Sequence, residues 1–232
     1  MPPASDVHFC GIDLGTGGAR CVVVDDSGRV ASRGECDLER SSIGGLPDGW
    51  FEQDPHDWLK AVYTAVSEAA AGCEAGRIDA VGITSTSGTL VVVDADGEPV
   101  RNAIMYSDDR SAEQAREVGQ AGRDLAERLG YSFKPSFGLP KLLWLRQNEP
   151  RTLDRAVRFL SPTDFIIGWL TGDWNSTDQT NALKFGYDLL EERWPAFIGD
   201  EMDIPMSGLP EVCSTGSEVG GVRPEAAEST GL

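Results

Sequence analysis

The chain has 232 residues, 40% of them hydrophobic and 25% charged, an ordinary globular composition long enough to bury a core as one large domain or a domain with an appendage. Thirty-eight acidic against 20 basic side chains leave a formal net charge of −18, which argues against nucleic acid and anionic membranes as partners. No apolar run is long enough to span a bilayer, and the first residues lack a signal-peptide core.

In chain order, residues 7–14, 19–25 and 29–38 read as three consecutive strands, the second carrying the β-branched run Val22-Val23-Val24. The first two are joined by Gly15-Thr16-Gly17-Gly18. This loop is not a dinucleotide finger, because Arg20 stands where a small residue is needed and a strand follows instead of a helix. It is not a P-loop either, since no Lys-Ser or Lys-Thr pair follows. It is a hairpin tip. The second turn, Asp25-Asp26-Ser27-Gly28, has ordinary hairpin chemistry. After a polar, glycine-rich stretch (40–49), Asp54 can N-cap a helix with Pro55 at its first position and Asp57 in its first turn. Trp58, Val62, Val66 and Ala69 give that helix one buried face.

"RIDAVGITSTSG" (77–88) reads as a strand ending in short hydroxyl side chains, "GTLVVVDADGEPV" as a further strand and turn, and "NAIMY" as a short strand. A single helix is expected over 111–129, and a short, proline-bounded one within "SFGLPKLLWLRQNEP". "AVRFLSPTDFIIGWLTG" reads as a strand and then a helix capped near 161–163 and closed by Gly172. The tail forms a helix from Pro224 to a Gly231 C-cap. Three antiparallel strands feeding alternating helices and strands predict an α/β domain with a mixed sheet. In such an alternation another strand should follow Leu232, so the chain reads as truncated before its final segment. Five cysteines without C-x-x-C spacing point to a reduced, cytoplasmic protein. Two histidines leave little for a His-based metal site, though a hard cation such as Mg²⁺ held by carboxylate and phosphate stays open.

Five segments in this order resemble the FGGY carbohydrate kinases of the sugar kinase–Hsp70–actin superfamily. "GIDLGTGGAR" is similar to the family's first phosphate motif and "WFEQDPHDW" to its W-x-E-Q-D-P-x-x-W helix start. "MYSDDRS" resembles its aromatic-x-D-x-R segment and "LPKLLWLRQNEP" its K-L-L-W-L helix. "SPTDFIIGWLTGDWNSTDQTNALKFGYD" resembles the stretch carrying L-T-G and a substrate-side loop. The resemblance runs from residue 8 to the end and implies a ribonuclease-H-like (actin-like ATPase) fold with a mixed central sheet flanked by helices. It also implies that residues 1–232 are the sugar-binding half. The ATP-binding half and its catalytic aspartate would lie beyond Leu232.

By the same resemblance, backbone N–H groups at Gly15, Gly17 and Gly18 approach phosphate as a nest, with Thr16 adding a hydroxyl and Arg20 a fixed charge. Asp13 would be catalytic, positioning hydrated Mg²⁺ or a sugar hydroxyl; the alternative is a carboxylate that bonds the turn amides. Ser87 is the expected sugar contact, against the alternative of a turn serine satisfying its own backbone. Asp108 and Arg110 hold sugar hydroxyls or brace the cleft, against the alternative of a surface salt bridge.

Thr84, Ser85, Thr86 and Ser87 stand where glycerol kinases carry Q-R-E and many xylulokinases Q-M-H. This departure, with the N-A-L-K-[LF]-G-Y stretch at 181–187, looks closer to a xylulokinase-like subgroup of cyanobacteria and plants that acts on D-ribulose. The implied activity is transfer of the ATP γ-phosphoryl group to a pentulose, with ATP and Mg²⁺ as cofactors. D-xylulose, a non-catalytic sugar-binding or regulatory protein, and an actin-like structural role are the rivals; a homodimer is allowed. Trp50 and Trp58 read as core, Glu52 and Gln53 as structural, His56 as solvated, and Lys141 and Trp144 as packing and helix surface.

Overall fold

The computed structural model describes residues 7–73 and 78–232. Its centre is a four-stranded sheet of β1 (His8–Leu14), β2 (Gly18–Asp25), β3 (Val30–Asp37) and, after the two-residue β4 (Glu52–Gln53) and helix α1 (Pro55–Ala71), β5 (Ile78–Ser85). The order is β3-β2-β1-β5, antiparallel except for the parallel β1–β5 pair, so the mixed sheet is observed. Arg77, where the sequence places the start of β5, lies outside the described residues.

β1 alternates strictly: Cys10, Ile12 and Leu14 are buried, while Phe9, Gly11 and Asp13 face outward. The buried face meets α1 through Trp58, Val62, Val66 and Ala69, the stripe expected from the sequence. The α1 start is also as read, for Asp54 accepts a hydrogen bond from the His56 N–H, with Pro55 in the first turn. His56 is more than solvated: its ring bridges Asp54 (2.9 Å) and Glu98 (3.1 Å).

The chain then forms β6 (Val91–Val93), β7 (Ala103–Ile104), α2 (Ala112–Ala121), α3 (Arg123–Leu129), α4 (Gly138–Asn148), α5 (Pro150–Leu153), β8 (Arg158–Leu160) and α6 (Pro162–Thr171). The single helix expected over 111–129 is therefore two. They divide at Gly122, whose φ −91° and ψ 22° leave the helical region; an added Cβ there would lie 2.9 Å from both Phe133 and Phe197, so the position is closed to a side chain. β6 pairs with β8 outside the main sheet and is buried on both faces. Val91 and Val93 belong to the core under the main sheet, whereas Val92 joins a second core built from α2 to α5. This short ribbon thus partitions the two cores.

α6 opens with a reciprocal capping box between Ser161 and Asp164 and closes on Gly172. β9 (Ser176–Asp178), α7 (Gln179–Lys184), α8 (Phe197–Asp200), β10 (Glu211–Cys213) and α9 (Pro224–Thr230) complete the chain. The α9 C-cap is Gly231, in the left-handed region as expected.

Candidate functional site

The carboxyl ends of parallel strands β1 and β5 lie side by side, the usual place for a ligand crevice in an α/β sheet. Asp13 stands opposite Arg20 of β2 and Thr84 of β5 in the ladder, so three polar side chains share the sheet's outer face. Among the described residues Asp13 makes no hydrogen bond or ion pair, so it does not cap the turn amides. Arg20 likewise has no ion pair among them. An exposed, unengaged carboxylate can hold a cation through water. No three His, Cys, Asp or Glu side chains gather as a metal cage among the described residues, so Mg²⁺ here would depend on Asp13, water and the phosphates of a bound nucleotide.

The loop at 15–18 is tight: the Gly15 N–H donates to the Gly18 carbonyl (2.9 Å), and the Leu38 N–H donates to the Gly17 carbonyl (2.9 Å). None of its residues has positive φ, and the Gly15 N–H is spent within the loop, so of the N–H groups expected to meet phosphate that of Gly15 is not left open. The glycines also serve different ends. A Cβ at Gly18 would sit 2.4 Å from the Cys36 carbonyl, so this glycine admits β3, not a ligand. At Gly17 nothing lies within 4 Å, and that space is open. The N–H groups of Thr16 and Gly17 meet no acceptor among the described residues.

Beyond β5, the hydroxyls divide into engaged and free. Ser85 Oγ bonds Thr163 Oγ1 (2.7 Å), and Thr89 Oγ1 accepts the Tyr106 N–H (3.0 Å). The hydroxyls of Thr84 and Ser87 have no partner among the described residues, so Ser87 is not satisfying its own turn. Gly88 follows with φ +82°, and a Cβ there would lie 2.1 Å from the Ser136 carbonyl. No larger residue fits at 88. Residues 84–87 therefore bring only short hydroxyls to this wall, while the Lys184 ammonium lies 4.2 Å over the Phe137 ring.

Asp108 and Arg110 are brought together, but not into the crevice. Asp108 is 1% exposed, and the Arg110 side chain is fully enclosed. Asp108 accepts the Phe51 N–H (2.6 Å), the Arg110 N–H (2.9 Å) and the Arg110 guanidinium at Nε and Nη2 (2.9 and 2.7 Å). Arg110 Nη1 donates to Glu52 (2.7 Å), and its guanidinium stacks 3.8 Å from the Trp50 ring, beside Trp144. Arg101 joins Glu52 and Glu149 at the rim of this cluster. The pair is neither a surface salt bridge nor, with its polar atoms spent internally, a sugar contact. It is a brace.

Lys141, read as helix surface, is wholly buried, and its ammonium donates to the carbonyls of Pro135 and Phe137. Burial pulls its pKa down to about 7, opposed by the nearby Asp108 carboxylate. A lysine among Pro140, Leu142, Leu143 and Trp144 was the sequence signal for this burial. Gln53, read as structural, is 3% exposed and holds the Thr16 carbonyl (2.8 Å), which ties it directly to the loop. A recess of about 360 Å³ beside Glu117, Arg146 and Asp203 contains none of these groups.

Comparison with known proteins matches residues 8–232 to the family described as FGGY family of carbohydrate kinases, N-terminal domain. A xylulose kinase of Lactococcus lactis is 28% identical over 95% of this chain and 44% of its own length. A glycerol kinase of Roseobacter denitrificans is 34% identical over 93% of this chain and 45% of its own. The crystal structure of Plasmodium falciparum glycerol kinase with ADP superposes with a TM-score of 0.82 at 26% identity, covering 96% of this chain and 46% of that one. The chain thus spans about half the length of the curated relatives it matches.

Proposed function

This chain belongs to the FGGY family of carbohydrate kinases, and from that premise we propose that the full-length protein transfers the γ-phosphoryl group of ATP to a primary hydroxyl of a pentulose, D-ribulose. In this reading residues 1–232 supply the sugar pocket and the first phosphate loop. Sequence beyond Leu232 supplies the nucleotide domain and an aspartate as general base. Phosphoryl transfer demands positioning and charge neutralisation more than covalent help. The unpaired Arg20 guanidinium and the free N–H groups of Thr16 and Gly17 supply donors for phosphate oxygens. Asp13 orients the sugar hydroxyl or a hydrated Mg²⁺, whose role when bound is to neutralise phosphate charge. The relatives' names, and ADP in one of their structures, support ATP as donor. In this reading the reaction runs in a reducing cytoplasm, which the five cysteines without C-x-x-C spacing suit.

The observation that carries the substrate is the wall at 84–89, with free hydroxyls at Thr84 and Ser87 and a sealed Gly88. It provides neutral partners for a polyhydroxylated chain and no charged side chain. D-xylulose is the second reading, favoured by the relative of that name. Kinetics of the full-length protein on D-ribulose, D-xylulose and glycerol decide between them. The expected order of kcat/KM places D-ribulose first, because hydroxyl epimers are discriminated by which buried polar groups stay paired. Equal efficiency on the two pentuloses reduces the claim to a pentulose kinase, and preference for glycerol removes it. The 232 residues alone should release no ADP with any sugar, lacking a base worth about 10²–10⁴ in rate. Sugar-dependent turnover by this chain, lost in Asp13→Ala, would overturn the division of labour.

A further inference from the structure

We propose that Gln53 is a positioning residue that aims the Gly17 N–H at a phosphate oxygen; this rests on the kinase reading above. Gln53 lies at the end of β4, 3% exposed, with its side-chain amide fully committed. Nε2 donates to the carbonyls of Thr16 (2.8 Å) and Ser41 (2.7 Å), and Oε1 accepts from the Trp58 indole (2.8 Å). This set fixes the amide's orientation: reversed, its oxygen would face two carbonyls and its NH₂ would face a donor.

The consequence follows from peptide geometry. The Thr16 carbonyl and the Gly17 N–H belong to one planar trans unit and point in opposite directions. Drawing the carbonyl inward onto Gln53 turns the N–H outward, into the open space at Gly17, where no described residue accepts it. The Gly17 carbonyl is held in turn by the Leu38 N–H. Behind the clamp, Trp58 is anchored in the core. Glu52, one residue before Gln53, is fixed by Arg101 and Arg110. The buried cluster thus acts on the loop through β4. Only glutamine offers two donors and one acceptor in a planar group at this reach: asparagine is one methylene shorter, glutamate lacks the donors, and methionine lacks both functions.

The test titrates inorganic tripolyphosphate into the ¹⁵N-labelled 232-residue chain, following the Gly17 amide and the hydrogen exchange of Leu38. Wild type should respond at Gly17. Gln53→Met should bind about tenfold or more weakly and exchange Leu38 faster, having lost the bond that orients the loop. Trp58→Phe removes the partner of Oε1 and some core packing but leaves the Gln53–Thr16 bond in place. It should lower thermal stability yet keep affinity within about twofold, a result that a purely structural role for Gln53 does not produce. If Gln53→Met does not fold, Gln53→Asn asks the same question with a buried amide that falls short of Thr16. Binding by the folded Gln53 variant equal to wild type, or an equal loss in Trp58→Phe, overturns the proposal. A wild-type chain silent at Gly17 overturns instead the phosphate-site reading on which it rests.

Discussion

Two Asp–Arg pairs in this molecule have the same chemistry and opposite fates. Asp13 and Arg20 stand opposite each other on the exposed face of the sheet and form no ion pair. Asp108 and Arg110 are sealed among Trp50, Trp144 and Glu52, every short contact made within the protein. The difference teaches where charge is structural and where it is reserved. A buried charge must be fully partnered, because solvent cannot compensate it. A charge that is to meet a ligand must be left without a protein partner, and it then adds little to stability.

The sharpest way to break this contrast is Arg110→Met, which leaves Asp108 and Glu52 without their cation. It should cost about 3–5 kcal/mol of folding stability, read as a large drop in the urea midpoint. A loss no greater than that of an exposed substitution would show that the cluster is solvated. Next comes Asp13→Ala in the full-length kinase, expected to lower kcat by about 10²–10³ through loss of one positioned charge. Its melting temperature should stay close to wild type. Near-normal turnover in the folded variant would move Asp13 out of the site.

The contrast is sharpened further by pH. The Lys141 ammonium, held down to about 7 by burial against an ordinary 10.5, is neutral in the folded chain while still protonated in the unfolded one across that window. The unfolded state then binds more protons, so this contribution to stability rises from pH 7 towards 10.5. Asp164 runs the other way, since burial pushes its carboxyl from 3.8 up to about 7. The folded chain keeps a proton that the unfolded chain has released, and stability falls as pH rises from 3.8 to 7. Urea midpoints measured against pH should lose the first slope in Lys141→Met and the second in Asp164→Asn. An unchanged slope in either variant removes that group as its cause. The smallest effect is expected for Arg20→Gln: a change in folding stability within about 0.5 kcal/mol, measured by the same denaturation.

Much of this was legible in the residues. The strand at 7–14, the Asp54-Pro55 helix start, the cap near 161–163 and the Gly231 stop are local signals, and the structure keeps them. Failures came where distant parts of the chain compete for space. The helix ends at Gly122, a weak helix former within 111–129, but that this glycine admits Phe133 and Phe197 is not visible in that window. Asp108 and Arg110 look exposed in a polar run, and only the return of Trp144 and Glu52 encloses them. Gln53 was legible as structural, but not its tie to the loop, because its partners Thr16 and Ser41 are contributed by other segments.

The contact between Gly88 and the Ser136 carbonyl constrains how this pocket can change over generations. Position 88 is closed to every side chain by its backbone angle and by its neighbour at once, so change at this wall cannot begin there. Drift must pass first through positions 86, 87 or 136, where a bulkier group could push the two walls apart. Only after that separation would a residue other than glycine at 88 become tolerable. The order of steps is thus written into the packing, and a library that randomises 88 alone would return only unfolded or unaltered clones.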